Sequence, residues 1–460
     1  MIQKVAKLSI AQGFTLFLAL ATLAIITLTS DPALHVLMIS ISGIATFATR
    51  SLPEMTTALF IFLAFLGIDV VPKEVVFSGF ATNGFWLLLA GLVVGAAITQ
   101  SGLGDRVGHL IFSYTGCEYR RAVWFLSISG FLLGAFVPSA IPRVIVMMPI
   151  TLGLAKKMGM EPGSRGHTGL LVAAAMMTLV PTYAFLTANL PTIVEVGAIE
   201  LLYGQHIDYG DYFIQNAPIN ALRFCVVLII LFTFGRGLPE TKTLPQETKQ
   251  EEKLTPPQRR LLWILALAII FWSTDSWHGI APAWVALTAA VIVLLPIVNI
   301  FEPQAMKTEI DLSMSFMIGA VFCISAVMKE VGLGPQMAVF VMPALGLGKV
   351  SSLLDMSTII GFSSALSHLT IAPATPIVLA PLAAHMSEAT GWSIKTIAMA
   401  QNIGFSTTFL PYQSPPLLIG IVLARIPVGA LTIVCLSTAI ISSLIGIPLT
   451  WIWWSWLGII

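Results

Sequence analysis

The residues that could do chemistry in this chain fall beside prolines inside otherwise apolar sequence. Ser139 and Arg143 belong to Val137-Pro138-Ser139-Ala140-Ile141-Pro142-Arg143. His368, Thr370 and Thr375 belong to Ser367-His368-Leu369-Thr370-Ile371-Ala372-Pro373-Ala374-Thr375-Pro376. Asn189 and Thr192 flank Leu190-Pro191, and Gln413 and Ser414 precede Pro415-Pro416. These side chains are hydroxyls, amides, one imidazole and one guanidinium, with no carboxylate at the breaks. Backbone that leaves the helix beside a proline carries N–H and C=O groups that only a cavity or a bound solute can satisfy. Helices that start at such breaks offer partial positive charge and spare donors, a ready site for a carboxylate or sulfate. Arg143 would add a full positive charge. The set suits an anionic or strongly polar solute. His385 and Glu388 do not make a metal set, and no other His, Asp or Glu has metal-ligand spacing.

Those residues need elements to bring them together. The first break lies between apolar runs 122–136 and 144–154. Each is shorter than the about 20 residues a helix needs to cross a ~30 Å hydrocarbon core. The spacing predicts a re-entrant hairpin over 122–158 and a second over 351–388. An arginine so deep in apolar sequence is costly unless it faces a cavity, a partner or an anion. Interrupted segments at matching places in two halves point to a transporter's binding site.

Composition fixes the class. Of 460 residues, 57% are hydrophobic and 10% charged, against about 25% charged in soluble domains. The chain reads as an all-α polytopic membrane protein with the lipid bilayer as its surroundings. The segments that can span are 8–29, 33–49, 55–71, 84–99, 168–187, 218–234, 261–274, 282–298, 312–328, 394–410 and 427–451. Residues 1–32 form an N-terminal transmembrane helix, 33–235 a first inverted repeat, 236–260 a polar cytoplasmic linker, and 261–460 a second inverted repeat. With the N-terminus cytoplasmic, the C-terminus outside and both hairpins re-entrant, most of the 23 Lys and Arg residues fall inside, as the positive-inside rule requires. The expected location is a bacterial cytoplasmic (inner) membrane. A formal net charge of +1 gives no reason to expect a nucleic-acid partner. The four cysteines lack C-x-x-C spacing and read as small buried residues.

The halves share landmarks in one order. Gly102-Leu103-Gly104 precedes the first break and Gly332-Leu333-Gly334 the second, while Pro149 and Pro381 follow them at equivalent places. A helix that itself breaks comes after each hairpin, near Pro191 and near Pro415. Several residues keep two readings open. Arg143 contacts the solute or pairs with a carboxylate such as Glu195. His368 is structural, a proton carrier or a ligand donor. Arg223 reads as an interfacial or interhelical residue, and Glu195 and Asp275 as candidate proton carriers or ordinary helix-end carboxylates.

In the order and spacing of these elements the whole chain resembles the divalent anion/sodium symporter family, the solute carrier 13 type of the ion-transporter superfamily. The resemblance implies about eleven membrane helices and two re-entrant hairpins in two inverted repeats. It also implies a homodimer in which a transport domain moves like an elevator. Family members carry dicarboxylates, citrate, tartrate or sulfate. Their hairpin tips hold Ser-Asn-Thr-Ala-Thr-like motifs about ten residues before a proline. Here Ser139-Ala140-Ile141-Pro142-Arg143 and Ile371-Ala372-Pro373-Ala374-Thr375 stand in those places. Ala140 and Ala372 replace tip asparagines that help hold sodium in the family, so sodium dependence is expected to be weaker than usual or absent.

The expectation is a secondary active transporter of small divalent anions (dicarboxylate, tricarboxylate or sulfate), ion-coupled or exchanging. Its substrate-binding candidates are Ser139, Arg143, Asn189, Thr192, Thr370, Thr375, Gln413 and Ser414. Its coupling-ion candidates are Ser139, Ala140, His368, Ala372 and Pro373, with sodium or a proton as the ion and no other cofactor. The alternatives are a cation/proton antiporter or an arsenite-type permease of the same superfamily, and an integral membrane enzyme. The antiporter is expected to need an acidic residue at the breaks. The enzyme is expected to need paired His, Asp or Glu at a membrane surface, and no convincing cluster is found.

Overall fold

The computed structural model describes residues 10–103, 118–137, 139–236, 254–300, 312–370 and 372–460. Most of the linker assigned to 236–260, the charged N-terminal residues, and Pro138 and Ile371 at the two tips lie outside the described residues. Among the described residues every regular element is helical and there is no strand. Six helices there are long and apolar enough to cross a membrane, with shorter apolar helices between them.

Before the first tip come α1 (Ile10–Leu28), α2 (Pro32–Thr49), α3 (Glu54–Ile68) and α4 (Asn83–Gln100). The two arms of the first hairpin segment are α5 (Tyr119–Phe136) and α6 (Ala140–Lys157). The first broken helix is α7 (Arg165–Met177) with α8 (Leu190–Tyr203), joined through a 3-10 turn, Pro181–Ala184. Then comes α9 (Tyr209–Phe234). The second half has α10 (Pro256–Ser273), α11 (Pro282–Leu294), α12 (Leu312–Glu330) and α13 (Leu333–Leu345). Its hairpin segment holds α14 (Ser352–Leu369), the short α15 (Thr375–Leu379) and α16 (Ala383–Thr390). Its broken helix is α17 (Ile394–Phe405) with α18 (Pro415–Ala424), and α19 (Val428–Ile441) and α20 (Ile447–Trp456) end the chain.

Local chemistry sets these limits. Ser164, Ser351 and Ser393 each accept a hydrogen bond from a backbone N–H in the first turn of the helix they precede, which satisfies a donor the helix cannot. Pro191, Pro376 and Pro415 sit in the first helical turn, where a missing N–H is harmless. The helices after the breaks therefore start where the prolines put them.

Packing crosses between the halves. The first arms lie against the broken helix of their own half, α5 on α7 and α14 on α17. The second arms also reach the other half, α6 on α18 as well as on α7, and α15 on α8. Small residues permit the close approaches. A Cβ on Gly134 of α5 would come within 2.5 Å of Thr182 Cγ2, and one on Gly404 of α17 within 2.5 Å of Ile360 O on α14. Such contacts are the membrane counterpart of tight core packing, made by backbone approach rather than by large side chains. Large apolar side chains such as Phe17, Phe340, Val422 and Leu444 point outward, where lipid would cover them.

One element differs from expectation. The helix expected over 218–234 begins at Tyr209 and runs through Pro218, because its polar first turns pack inside the protein. The terminal tryptophans help to hold it. Trp454 is fully buried, and the indoles of Trp453 and Trp454 donate to Ile214 O and Gln215 O of α9.

Candidate solute-binding site

Arg143 lies in the first turn of α6, just after the first tip, with 1% of its surface exposed. A cation at a helix N-terminus works against the helix dipole, whereas an anion there is favoured. Its Nη2 donates to Ala188 O and Asn189 Oδ1, both at 2.9 Å, in the unwound middle of the first broken helix. Asn189 Nδ2 in turn donates to Thr182 Oγ1 (3.1 Å), and Thr182 Oγ1 to Leu179 O (2.6 Å). Two guanidinium nitrogens, Nε and Nη1, are buried and have no acceptor among the described residues. Buried donors without partners are uncommon and costly, about 1–3 kcal/mol each.

The guanidinium occupies a slot that only glycine leaves open, since a Cβ on Gly134 would lie 2.8 Å from Arg143 Nη1. A small cavity adjoins it, lined by Ile98, Thr99, Leu133, Val137, Pro142 and Arg143 among others. Ser139 and Ala140 are buried at the same tip. The pairing of Arg143 with Glu195, one of the sequence alternatives, is not formed. Among the described residues neither carboxylate oxygen of Glu195 has a hydrogen-bond partner.

The second tip is made differently. Thr370 and Thr375 face one another across the break with their hydroxyls 2.7 Å apart, and Thr370 Oγ1 also donates to Leu366 O. His368 Nδ1 lies 2.7 Å from Ser364 O of its own helix, and its ring packs on Phe409. Gln413 Oε1 accepts from the Phe409 and Leu410 N–H groups, both at 2.8 Å, while its Nε2 donates to Ser367 Oγ. Ala372, Pro373 and Ala374 are buried around this closed turn. Ser414 is buried at the start of α18 and makes no capping bond with its side chain.

Between the tips, the two broken helices are tied together. Asn402 Nδ2 donates to Thr192 Oγ1 (3.0 Å), and Tyr212 Oη donates to Tyr183 O (2.8 Å) and to Asn402 Oδ1 (3.2 Å). Arg223, on α9, is as buried as Arg143 and reaches the second broken helix. Its Nη1 donates to Asn220 Oδ1 and Ser406 Oγ, and its Nη2 to Ile403 O and Thr407 Oγ1.

The structure thus joins Arg143 with Asn189 beside Ser139, places Thr192 in a helix-to-helix contact, and gathers His368, Thr370, Thr375 and Gln413 at a separate closed turn. Thr182, Tyr183, Tyr212, Asn402 and Gly134 are the residues that sequence reasoning passed over. Their signal was faint: Thr182 and Tyr183 follow Pro181, but Tyr212, Asn402 and Gly134 lie on faces that periodicity in apolar sequence does not reveal.

Residues 36–404 match the family model described as citrate transporter. The match runs from α2 through both tips into α17. A membrane protein of Cupriavidus necator (strain H16) is 26% identical over 410 residues, covering 83% of this chain and 76% of that one. The inner membrane protein YbhI of Escherichia coli (strain K12) is 23% identical over 48% of each chain. An L-tartrate/succinate antiporter of the same strain is 20% identical over 42% of each. Among solved structures, the YdaH transporter of Alcanivorax borkumensis superposes with a TM-score of 0.58 at 16% identity, covering 93% of this chain and 98% of that one. MtrF of Neisseria gonorrhoeae gives 0.59 at 15% identity, covering 95% and 97%. At these identities the two structures speak for the fold alone.

Proposed function

We propose that the chain, which belongs to the citrate transporter family, is a secondary active transporter of small carboxylates. The observation that carries this is the buried Arg143 guanidinium at a helix N-terminus, whose Nε and Nη1 have no acceptor among the described residues. A planar guanidinium with two neighbouring free donors matches a carboxylate with two parallel hydrogen bonds. The L-tartrate/succinate antiporter relatives support the same substrate class. Dicarboxylates and tricarboxylates fit, and sulfate shares the chemistry. Arg143, Ser139 and Asn189 form the binding site. Thr192, Thr370, Thr375, Gln413 and Ser414 complete its walls once the two broken helices move apart.

The finer architecture belongs to the same proposal. The segments 122–158 and 351–388 are re-entrant hairpins in inverted repeats 33–235 and 261–460, within a scaffold of about eleven membrane helices. This is the divalent anion/sodium symporter plan, with a homodimer and an elevator motion in a cytoplasmic membrane, N-terminus inside and C-terminus outside. The crosswise packing of α6 on α18 and α15 on α8 supports it, because inverted repeats would exchange such contacts.

The test is binding by purified protein. Thermal shift against succinate, L-tartrate, citrate and sulfate, with and without sodium, should show stabilisation by at least one carboxylate and little further gain from sodium. A protein stabilised by none of the carboxylates, and that moves none of them in proteoliposomes, would not be a carboxylate transporter.

A further inference from the structure

We infer that Glu195 is the residue that carries a proton across the membrane with the solute, an assignment that rests on the carboxylate-transport reading above. Glu195 lies on α8, five residues past Leu190, where the helix resumes after its break. That is about 7.5 Å along the axis at 1.5 Å per residue. Its exposure is 0%, and neither carboxylate oxygen has a hydrogen-bond partner among the described residues. An ionised carboxylate held this way would lack both countercharge and donor, a cost of several kcal/mol that proteins avoid.

The groups on every element packed against α8 leave it alone. These elements are α4, α12, α15, α17 and the 3-10 turn Ala380–Leu382. Neither α4, α15 nor that turn carries a titratable side chain. On α12, Cys323 is buried, Glu330 is exposed, and Lys329 Nζ donates to Leu202 O. On α17 the charged residue is Lys395, 3.9 Å from Asp208. On α8 itself, Glu200 accepts from Asn83 and the Tyr203 hydroxyl donates to Ala380 O. The two buried arginines are also engaged elsewhere, Arg143 with Ala188 and Asn189, Arg223 with the second broken helix. A carboxyl that holds its proton needs no countercharge in such a place; a carboxylate does.

The chemistry is a reversible protonation. Glu195 takes up a proton from the side to which the broken helix opens, is enclosed as the neutral acid, and releases the proton on the other side. Loading of the site by a dianion and a proton together lowers the charge that must cross. This gives symport of carboxylate with protons, with α8 linking Thr192 at the centre to Glu195 one turn further along.

The experiment uses the full chain in proteoliposomes with radiolabelled succinate, L-tartrate and citrate. An inside-alkaline pH gradient should drive accumulation by the wild type. Glu195→Gln, an isostere of the neutral acid, should lose at least tenfold of that accumulation while succinate–succinate exchange stays within about twofold. Glu195→Asp should recover part of the gradient response. If Glu195→Gln accumulates solute as well as wild type, or if a sodium gradient rather than a pH gradient drives uptake and the variant abolishes it, the assignment falls. Infrared difference spectroscopy separates this outcome from failure of the substrate reading. A protonated-carboxyl stretch present in wild type and missing from Glu195→Gln supports the proton even in a protein that moves none of the three solutes. Its absence from wild type overturns the assignment.

Discussion

Arg143 and Arg223 have the same burial and lean on the two halves' broken helices, yet their surroundings differ in one decisive way. Arg223 finds four protein acceptors, in Asn220, Ile403, Ser406 and Thr407. Among the described residues Arg143 finds two, both on one nitrogen, and Nε and Nη1 have none. The second region is finished and the first is not. Residue type and depth alone therefore do not separate the two arginines; the count of bonds made within the described residues does. The same contrast holds at the tips. Thr370 and Thr375 close on one another, and Gln413 closes the turn after Phe409, whereas the first tip leads into a guanidinium with two nitrogens unpaired among the described residues.

The largest way to sharpen the contrast is to remove the finished arginine. Arg223→Ala orphans several buried acceptors at once and should destabilise the protein by at least about 3 kcal/mol. Fluorescence-detected thermal unfolding in detergent would show this. Whatever fraction folds should bind carboxylate with nearly wild-type affinity; a selective loss of affinity in a normally stable variant would erase the difference between the two regions.

Next in size is the slot beside Arg143. Gly134→Ala places a methyl within 2.5 Å of Thr182 Cγ2 and 2.8 Å of Arg143 Nη1, and such overpacking costs about 1–3 kcal/mol. The prediction is a tenfold or greater loss of carboxylate affinity by calorimetry, larger than the loss in thermal stability. Unchanged affinity would mean that the guanidinium does not need its present position.

How much of this was legible beforehand follows from where the prolines are. Prolines in apolar runs mark the interruptions within 122–158 and 351–388 and in both broken helices, and the helices there begin and end within a few residues of the expected bounds. Polar turns inside the protein leave no such mark. The first turns of α9, from Tyr209 to Ala217, have a composition ordinary for a surface loop, so Tyr212 and Asn216 were invisible although both lie on the central network. Glu195 was visible as a residue but not as a problem. Only the packing of α8 shows that no cation among the described residues pairs with it. Arg143 shows the same limit, because sequence offers a carboxylate partner and the structure supplies a neutral amide instead.

The smallest expected effect is at the closed tip. Thr370→Val removes the hydroxyl contact with Thr375 and the bond to Leu366 O. With shape retained it should cost roughly 1 kcal/mol of stability and less than threefold in affinity. An affinity loss matching that at Gly134 would show that the second tip is as open to the solute as the first.

The central claim is that Arg143 is unfinished because the solute completes it. Isothermal titration of a carboxylate that stabilises wild type, into Arg143→Ala purified as a normally folded protein, tests this directly. Loss of the charged partner should cost roughly 2–5 kcal/mol, more than tenfold in affinity. Arg143→Lys should fall between the two because it keeps the charge without the fork. An Arg143→Ala protein that folds normally and binds with wild-type affinity would contradict the account.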